Sequence, residues 1–355
     1  MNHSRPPERP SFLITIDTEG DNLWSRPREV TTHNADHLPR FQELCERHGL
    51  KPTYLTDWDM VHSPAFAAFA RAIVEREVGE IGMHLHAWNT PPLWPLTVDD
   101  DYHHHYLIEY PEDQMREKVR VLTAELEHTF GTKMISHRAG RWSLDDRYAR
   151  ILAASGYLVD CSVTPHVSWK PVPGAPQGNG GTDFSSYPER SYFLDLEDIA
   201  RPGSSPLLEV PVSIVHRRRA PLVEMADTLL GDKLAVVGRR IRGRFPPYTW
   251  LRPNGRNLQD LLTVLGVALE DGRDHVEFML HSSELMPGGS PTFPRVEDIT
   301  RLYSHLEAVF SVASQHVVGQ TLAEYHRRFA ARHAPDRAAS DSGAAQARDG
   351  KESRR

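Results

Sequence analysis

The sequence predicts an α/β protein in which a parallel β-sheet is covered by helices. Short apolar runs alternate along the chain with amphipathic segments of about 10 to 20 residues. Each apolar run ends in polar, ionisable residues, and parallel sheets build their sites at such strand ends. With 39% hydrophobic and 25% charged residues in a chain of 355, the composition is that of a globular protein.

The predicted elements follow one another in β-α order through the first half of the chain. Strands are expected at residues 12–17, 52–56, 80–85, 134–137 and 157–160, and helices at 35–48, 64–77, 111–130 and 143–155. Later strands are expected at 207–215 and 276–281, and later helices at 257–270, 296–312 and 322–329. Proline, glycine and serine dominate residues 164–192, which predicts a long loop that lines a cleft.

One domain is predicted for residues 11–332. It is expected to carry a disordered N-terminus at 1–10 and a disordered tail at 333–355, where the composition shows no periodicity. A basic helical insertion is expected near 216–250. We favour a solvated cationic surface for this insertion over contact with a membrane surface or an anionic glycan.

Charge and composition exclude several protein classes. The formal net charge of −7 argues against a nucleic-acid-binding protein. No run approaches the roughly 18 to 20 apolar residues of a membrane helix, and the short apolar run at 12–16 is not typical of a signal peptide. Cys45 and Cys161 are too few for a disulfide framework or a thiolate zinc site. We therefore expect a cytoplasmic protein, and the sequence leaves its oligomeric state open.

Two histidines stand at the end of the predicted strand 80–85. Because side chains alternate along a strand, His84 and His86 project to the same side. Two imidazoles at this spacing can ligate one divalent cation, most simply Zn²⁺. An isolated pair is also common as loop histidines that meet solvent, so the rest of the chain decides between these interpretations.

Carboxylates and further basic groups end the other predicted strands. Asp17 and Glu19 form a second pair with two-residue spacing, and other strands end at His137, Arg138, Asp160 and His281. One carboxylate with two imidazoles leaves an open position for water, as in catalytic zinc sites. A second carboxylate can accept a proton from that water, and a histidine can donate one to a leaving group. The pattern indicates a metal-dependent hydrolase.

Five segments occur in a characteristic order, each at a predicted strand end. They are TIDTEG, EIGMHLH, HRAGRW, DCSVTP and FMLHSSEL. Together they resemble the successive motifs of the polysaccharide deacetylase family, the chitooligosaccharide deacetylase-like carbohydrate esterases. The resemblance runs from Ser11 to about Met286. It implies an irregular β/α barrel, one divalent metal ion, and hydrolysis of an N-acetyl or O-acetyl group on a glycan.

The resemblance also implies roles in proton transfer. Asp17 matches the general base, and Arg138 matches the arginine that pairs with this base and keeps it ionised. His281 matches the general acid. Asp160 resembles the carboxylate that holds this histidine and favours its protonated form.

The metal site departs from the family pattern at two positions. The first motif usually has adjacent aspartates, whereas here a threonine separates the carboxylates, and Glu19 would be the metal ligand. The second motif usually places its histidines four residues apart, but Trp88 stands four residues after His84. His86 therefore becomes the expected second imidazole ligand.

Alternatives remain open for the ligands, and two tryptophans are candidates for substrate contact. Asp21 could replace Glu19, and one of the histidines at 103–105 could replace His86. Trp142 falls near the aromatic residue that walls the substrate groove in the family. Trp88 follows a strand of the predicted site, where sugar rings could stack on it.

The sequence therefore predicts a metal-dependent hydrolase of carbon–nitrogen bonds that deacetylates an N-acetylated sugar. Because no export is expected, a cytoplasmic glycan precursor, lipid-linked or nucleotide-linked, fits better than cell-wall polymer. One alternative is an amidohydrolase acting on a small amide or imide, for which the loop at 164–192 would close over the pocket. Another is a metal-free carbohydrate-binding protein with a degenerate site.

Overall fold

The computed structural model of the chain describes residues 9–216 and 248–333, except for the side chain of Asp101. Most of the predicted disordered N-terminus, the basic insertion and the predicted tail lie outside the described residues, at 1–8, 217–247 and 334–355. Within the described ranges, no helix is both long enough and apolar enough to cross a membrane.

Strands are short and buried, and most of them lie where apolar runs were identified. In chain order they are β1 (Ser11–Thr18), β2 (Pro52–Thr56), β3 (Glu80–Leu85), β4 (Ser136–Ala139), β5 (Val159–Asp160), β6 (Tyr192–Phe193), β7 (Leu208–Glu209), β8 (Ile214–His216), β9 (Tyr248–Trp250), β10 (His275–His281) and β11 (Val318–Gly319).

Helices connect successive strands over much of the chain. They are α1 (Leu38–Arg47), α2 (Trp58–Val61), α3 (Pro64–Glu75), α4 (Asp100–His103), α5 (Glu112–Phe130), α6 (Asp146–Ala154), α7 (Leu258–Glu270), α8 (Val296–His316) and α9 (Leu322–His333). Several begin at side-chain caps: Ser63 accepts the backbone N–H of Phe66 in α3, and Asp145 accepts that of Tyr148 in α6.

The strands form one mixed sheet and one separate pair. The main sheet has the order β10-β1-β2-β3-β4-β5-β7-β6, and β11 also pairs with β1. Neighbouring strands from β10 to β7 are parallel, whereas β6 runs antiparallel to β7. The sheet curls into an open half-barrel accompanied by helices, which confirms the predicted irregular β/α barrel.

The predicted strand at 207–215 is wrong as a single element. It divides into β7, which belongs to the main sheet, and β8, which pairs with β9 in the separate two-stranded sheet. Pro211 lies between the two strands and cannot donate a ladder hydrogen bond. Its carbonyl oxygen lies 3.0 Å from Nε2 of His275 instead.

Successive side chains of β1 point to opposite faces of the sheet, so one face packs in the large apolar core and the other leads to the site. Phe12, Ile14 and Ile16 belong to the large core cluster, whereas Leu13 belongs to a smaller cluster that includes residues of α9. We call the side that carries Leu13 the inner face. Because residues two apart share a face, Asp17 lies on the inner face at the carboxyl end of β1.

A glycine in β3 allows the close approach of β4, and its substitution should destabilise the fold. A Cβ atom at Gly82 would lie 2.7 Å from the backbone oxygen of Ser136, so the strands would have to shift. We expect Gly82→Ala to lower the free energy of unfolding by about 1–3 kcal/mol, measured by urea denaturation.

Gly266 provides the matched control for this substitution. It lies within α7, and a Cβ atom there would contact nothing within 4 Å. Gly266→Ala should raise the free energy of unfolding by about 0.5–1 kcal/mol, because alanine favours the helix. Equal effects of the two substitutions would contradict the close β3–β4 approach.

Candidate active site

Three potential metal ligands converge at the carboxyl ends of β1 and β3. Glu19 follows β1, His84 lies in β3 and His86 directly follows that strand. Within residues 9–216 and 248–333, these are the one group of acidic, imidazole and thiol side chains close enough to share a metal ion, with ligand atoms within 4.8 Å of one another. All three side chains are buried. The sequence-predicted ligand set is thus brought together.

The donor chemistry of the three residues fits a divalent cation. The Nδ1–H group of His84 donates to the backbone oxygen of Arg138 at 3.0 Å, which leaves Nε2 facing the site. Oε2 of Glu19 lies 3.5 Å from this Nε2 and 2.9 Å from Nε2 of His86. When His84 is neutral, the lone pair on its Nε2 faces the carboxylate of Glu19, and both groups are acceptors. A cation between them would bind to both.

Glu19 is held in its ionised form. Burial alone would raise its pKa, but the surrounding histidines, His281, His84 and His86, lower the pKa well below the ordinary value for a glutamate. A carboxylate ligand must be ionised to bind a metal, so this environment favours ligation.

The first alternative ligand, Asp21, has a structural role in the loop after β1. Its Oδ2 atom accepts hydrogen bonds from the Thr31 hydroxyl and the His33 backbone N–H, at 2.8 and 2.9 Å. Its Oδ1 atom accepts two more from the backbone and side-chain nitrogens of Asn34. These bonds tie Asp21 to the following segment, and Asp21 is not part of the group formed by Glu19, His84 and His86.

The alternative histidines at 103–105 also have other partners. His104 stacks on Trp88 with ring centroids 4.1 Å apart, and Nε2 of His105 lies 2.8 Å from Oδ1 of Asp100. Burial is the main reason why the pKa of His104 falls to about 3. Neither imidazole joins the group around Glu19.

Two contacts fix the segment that carries the second histidine. The buried ammonium group of Lys118 donates to the carbonyl oxygens of Ala87, Thr90 and Pro92, just beyond His86. Gly140 packs against the His86 ring so closely that a Cβ atom there would lie 2.5 Å from Nδ1. A side chain at position 140 would therefore displace the imidazole.

Asp17 is paired with a buried arginine. Nη1 of Arg138 donates to Oδ1 of Asp17 at 2.6 Å, and the same guanidinium contacts Glu277 and Thr15. Burial would raise the pKa of Asp17, but the charge of Arg138, with contributions from His84 and His281, lowers it. Asp17 is ionised at neutral pH, with Oδ2 available on the site.

His281 completes the group from β10. The register of β1 and β10 pairs Asp17 with His281, and Nε2 of the imidazole lies 3.6 Å from Oδ2 of Asp17. The same nitrogen lies 3.8 Å from Oε1 of Glu19. On the other side of the ring, Nδ1 lies 3.2 Å from Oε2 of Glu284 and 3.1 Å from Nη2 of Arg252.

The prediction that Asp160 holds His281 is wrong. Asp160 is the register partner of His137, and its Oδ1 lies 2.5 Å from Nδ1 of that residue, whose Nε2 meets the Tyr148 hydroxyl at 2.7 Å. The remaining capacity of the Asp160 carboxylate is taken by Ser162, whose backbone N–H and hydroxyl donate to it at 2.9 and 3.0 Å. Glu284 is in contact with His281 instead.

The site opens into a pocket of about 310 Å³. Both tryptophans predicted to contact substrate, Trp88 and Trp142, line it, together with Trp24 and Trp169. One face of Trp88 is covered by His104, whereas Trp24 is 41% exposed and meets His281 edge-on. The predicted loop at 164–192 lines the pocket through Trp169 and Val172.

Several residues around the pocket were not identified from the sequence. They are Trp24, Arg26, Arg141 and Arg252 on the wall, Glu277 behind Arg138, and Glu284 behind His281. Glu284 lies within the segment FMLHSSEL, three residues after the histidine that it contacts, so its proximity could have been inferred. The three arginines follow no spacing pattern that would have revealed them.

Comparison with solved structures identifies the fold. A structure from Mycobacterium smegmatis, assigned as a polysaccharide deacetylase, matches with a TM-score of 0.53 and 13% identity over 93% of each chain. The chain has the polysaccharide deacetylase fold. Puue allantoinase also matches, with a TM-score of 0.51 and 14% identity over 91% of this chain and 90% of that one. No protein-family model and no curated protein matches the sequence.

Binding of Zn²⁺ to Glu19, His84 and His86 should release protons, and the affinity for Zn²⁺ should fall as the pH falls. Burial would lower the pKa of His84, but the negative charges of Asp17 and Glu19 raise it above its ordinary value. The raised pKa keeps a proton on His84 to higher pH, and Zn²⁺ must displace it. Below that pKa we expect the apparent affinity to fall about tenfold per pH unit.

Isothermal titration calorimetry in buffers with different ionisation enthalpies measures the number of protons released. His62→Ala serves as the control, because His62 is an exposed histidine outside the pocket. A zinc affinity that stays constant between about pH 6 and 8, without proton release, would show that His84 is not a ligand.

Proposed function

We propose that this chain is a divalent-metal-dependent hydrolase that removes the acetyl group from an N-acetylated sugar or glycan precursor. The proposal rests on one observation: the buried group of Glu19, His84 and His86 lies beside both Asp17 and His281. Metal ligands, a paired carboxylate and an imidazole are the components that amide hydrolysis at neutral pH requires.

A divalent cation held by the three ligands would polarise the acyl carbonyl and acidify a water molecule. Asp17 acts as the general base through Oδ2, since Oδ1 is engaged by Arg138. His281 donates a proton to the departing amine from Nε2, while Glu284 on the Nδ1 side holds the ring in orientation. Arg138 keeps Asp17 ionised and fixes its position.

A second candidate is a hydrolase of a small amide or imide with the same catalytic groups. The size of the pocket favours it, because about 310 Å³ is near the lower limit for small-molecule sites. Trp169 and Val172 of the long loop contribute to its wall. A monosaccharide unit and a small amide both match this volume, so the first substrates to test are small.

Metal content and acyl hydrolysis should be lost together. The purified protein should hold about one equivalent of a divalent metal, and His84→Ala should hold none, whereas His62→Ala should retain it. Hydrolysis of N-acetylglucosamine, its oligomers and small cyclic amides is then measured by acetate or amine release. The preferred substrate class separates the two candidates.

The roles in proton transfer have their own test. Asp17→Asn and His281→Ala should each reduce kcat by about 10²–10⁴-fold, while zinc content remains. Asp36→Asn, at an exposed aspartate outside the pocket, should leave kcat unchanged. If the protein binds no metal even after reconstitution with zinc, yet binds glycans, it is a carbohydrate-binding protein and the proposal fails.

A further inference from the structure

The pocket wall carries arginines that have no role in the proposed hydrolysis. Three arginines line the pocket, Arg26, Arg141 and Arg252, against two carboxylates, Asp17 and Glu19. The lining therefore holds one arginine more than it holds carboxylates, in a chain whose formal net charge is −7. A concentration of arginines at a pocket within an acidic protein indicates recognition of an anion.

Arg252 does not account for the excess, because it has a carboxylate partner. Its Nη2 atom lies 3.2 Å from Oε1 of the buried Glu284 and 3.1 Å from Nδ1 of His281. Its charge is therefore balanced within the group that holds the imidazole. The arginines that the proposed hydrolysis leaves without a role are Arg26 and Arg141.

Arg141 is held in place by neutral partners only. It follows β4 in a left-handed backbone conformation, with φ of 56°. Its guanidinium donates to the backbone oxygens of His104 and Pro173 and lies 4.1 Å from the centre of the Tyr106 ring. No carboxylate whose position is described lies within ion-pair distance of it. Glu109, whose oxygens accept backbone N–H groups of Tyr106 and Ala175, acts on the charge of Arg141 only from a greater distance.

Arg26 lies on the same side of the pocket and is exposed. Its guanidinium lies 4.6 Å from the centre of the Tyr102 ring, and none of the side chains that the structure describes accepts a hydrogen bond from it or forms an ion pair with it. The charges of Arg26 and Arg141 act on a common neighbour: with burial as the largest cause, they help to lower the pKa of His104. Since His104 stacks on Trp88, both arginines lie near the His86 side of the site.

We propose that Arg26 and Arg141 bind an anionic group of the substrate, a carboxylate or a phosphate, next to the acyl group that is hydrolysed. A planar guanidinium can donate two parallel hydrogen bonds to either anion. Because Arg141 is already fixed by two carbonyls and a ring, little conformational entropy is lost on binding. The substrate class is then an acidic N-acyl compound, such as a sugar acid or sugar phosphate. This inference rests on the proposed function for the position of the acyl group.

The test compares three N-acetylated sugars that differ in charge. N-Acetylglucosamine is neutral, N-acetylmuramic acid carries a carboxylate and N-acetylglucosamine 6-phosphate carries a phosphate. We expect kcat/KM to be higher for one or both anionic sugars, and their ratio identifies the preferred anion. In Arg26→Gln the preference for the anionic over the neutral sugar should fall about tenfold.

Two further variants control for structural effects. Arg141→Lys keeps the positive charge but loses the planar pair of donors, so it should lower the preference for the anionic sugars. Lysine is chosen over a neutral residue in case the carbonyl contacts of Arg141 are needed for folding. Arg71→Gln is the matched control, because Arg71 is exposed, lies outside the pocket and donates to the backbone oxygen of Thr129. This substitution should leave the preference unchanged.

A binding measurement on the metal-free protein separates the two proposals. After chelation, the dissociation constant for N-acetylglucosamine 6-phosphate or N-acetylmuramic acid should increase about tenfold in Arg26→Gln and remain constant in Arg71→Gln. If this holds while no acyl compound is hydrolysed, the anion site stands and the hydrolase proposal fails. If hydrolysis occurs with equal preference for neutral and anionic sugars in every variant, the anion site is refuted and the hydrolase proposal stands.

Discussion

The site depends on the buried guanidinium of Arg138. This group is inaccessible to solvent and donates to Asp17, Glu277, the Thr15 hydroxyl and the backbone oxygen of Cys161. It therefore connects β4 with β1, β10 and the segment after β5 beneath the pocket. Removing it would leave two buried carboxylates without a compensating charge, which typically costs about 3–5 kcal/mol. Its main-chain oxygen meanwhile orients His84, so one residue supports both the proposed base and a candidate metal ligand.

The parts of the site that follow from strand periodicity could be predicted from the sequence. The two-residue spacing of His84 and His86 predicted that both imidazoles face one side, and they do. Asp17 and Glu19 behave in the same way at the end of β1, although Glu19 lies just beyond the strand. The fold class was equally accessible, because alternating apolar runs and amphipathic segments leave few arrangements other than helices around a parallel sheet.

The remaining features depend on strand order and on long-range contacts, which periodicity does not encode. Asp160 ends a strand as expected, but its carboxylate contacts His137, its register partner in β4, and this pairing follows from strand order. Arg26 and Arg141 reach the pocket from loops with left-handed backbone conformations, which no apolar pattern marks. The basic insertion near 216–250 falls largely outside the described residues and stays a prediction.

The pairing of β1 with β10 has a consequence for how the protein is made. The backbone of Glu19 binds the side chain of Ser282, 263 residues away, and Asp17 meets its register partner His281 only in this pairing. A nascent chain emerging from the ribosome therefore completes its first strand long before the strand that supplies the imidazole exists. Such a high contact order slows folding. The proposed base Asp17 and the proposed acid His281 can meet only after synthesis has passed β10, so a shorter translation product contains Glu19, His84 and His86 but lacks the imidazole of His281.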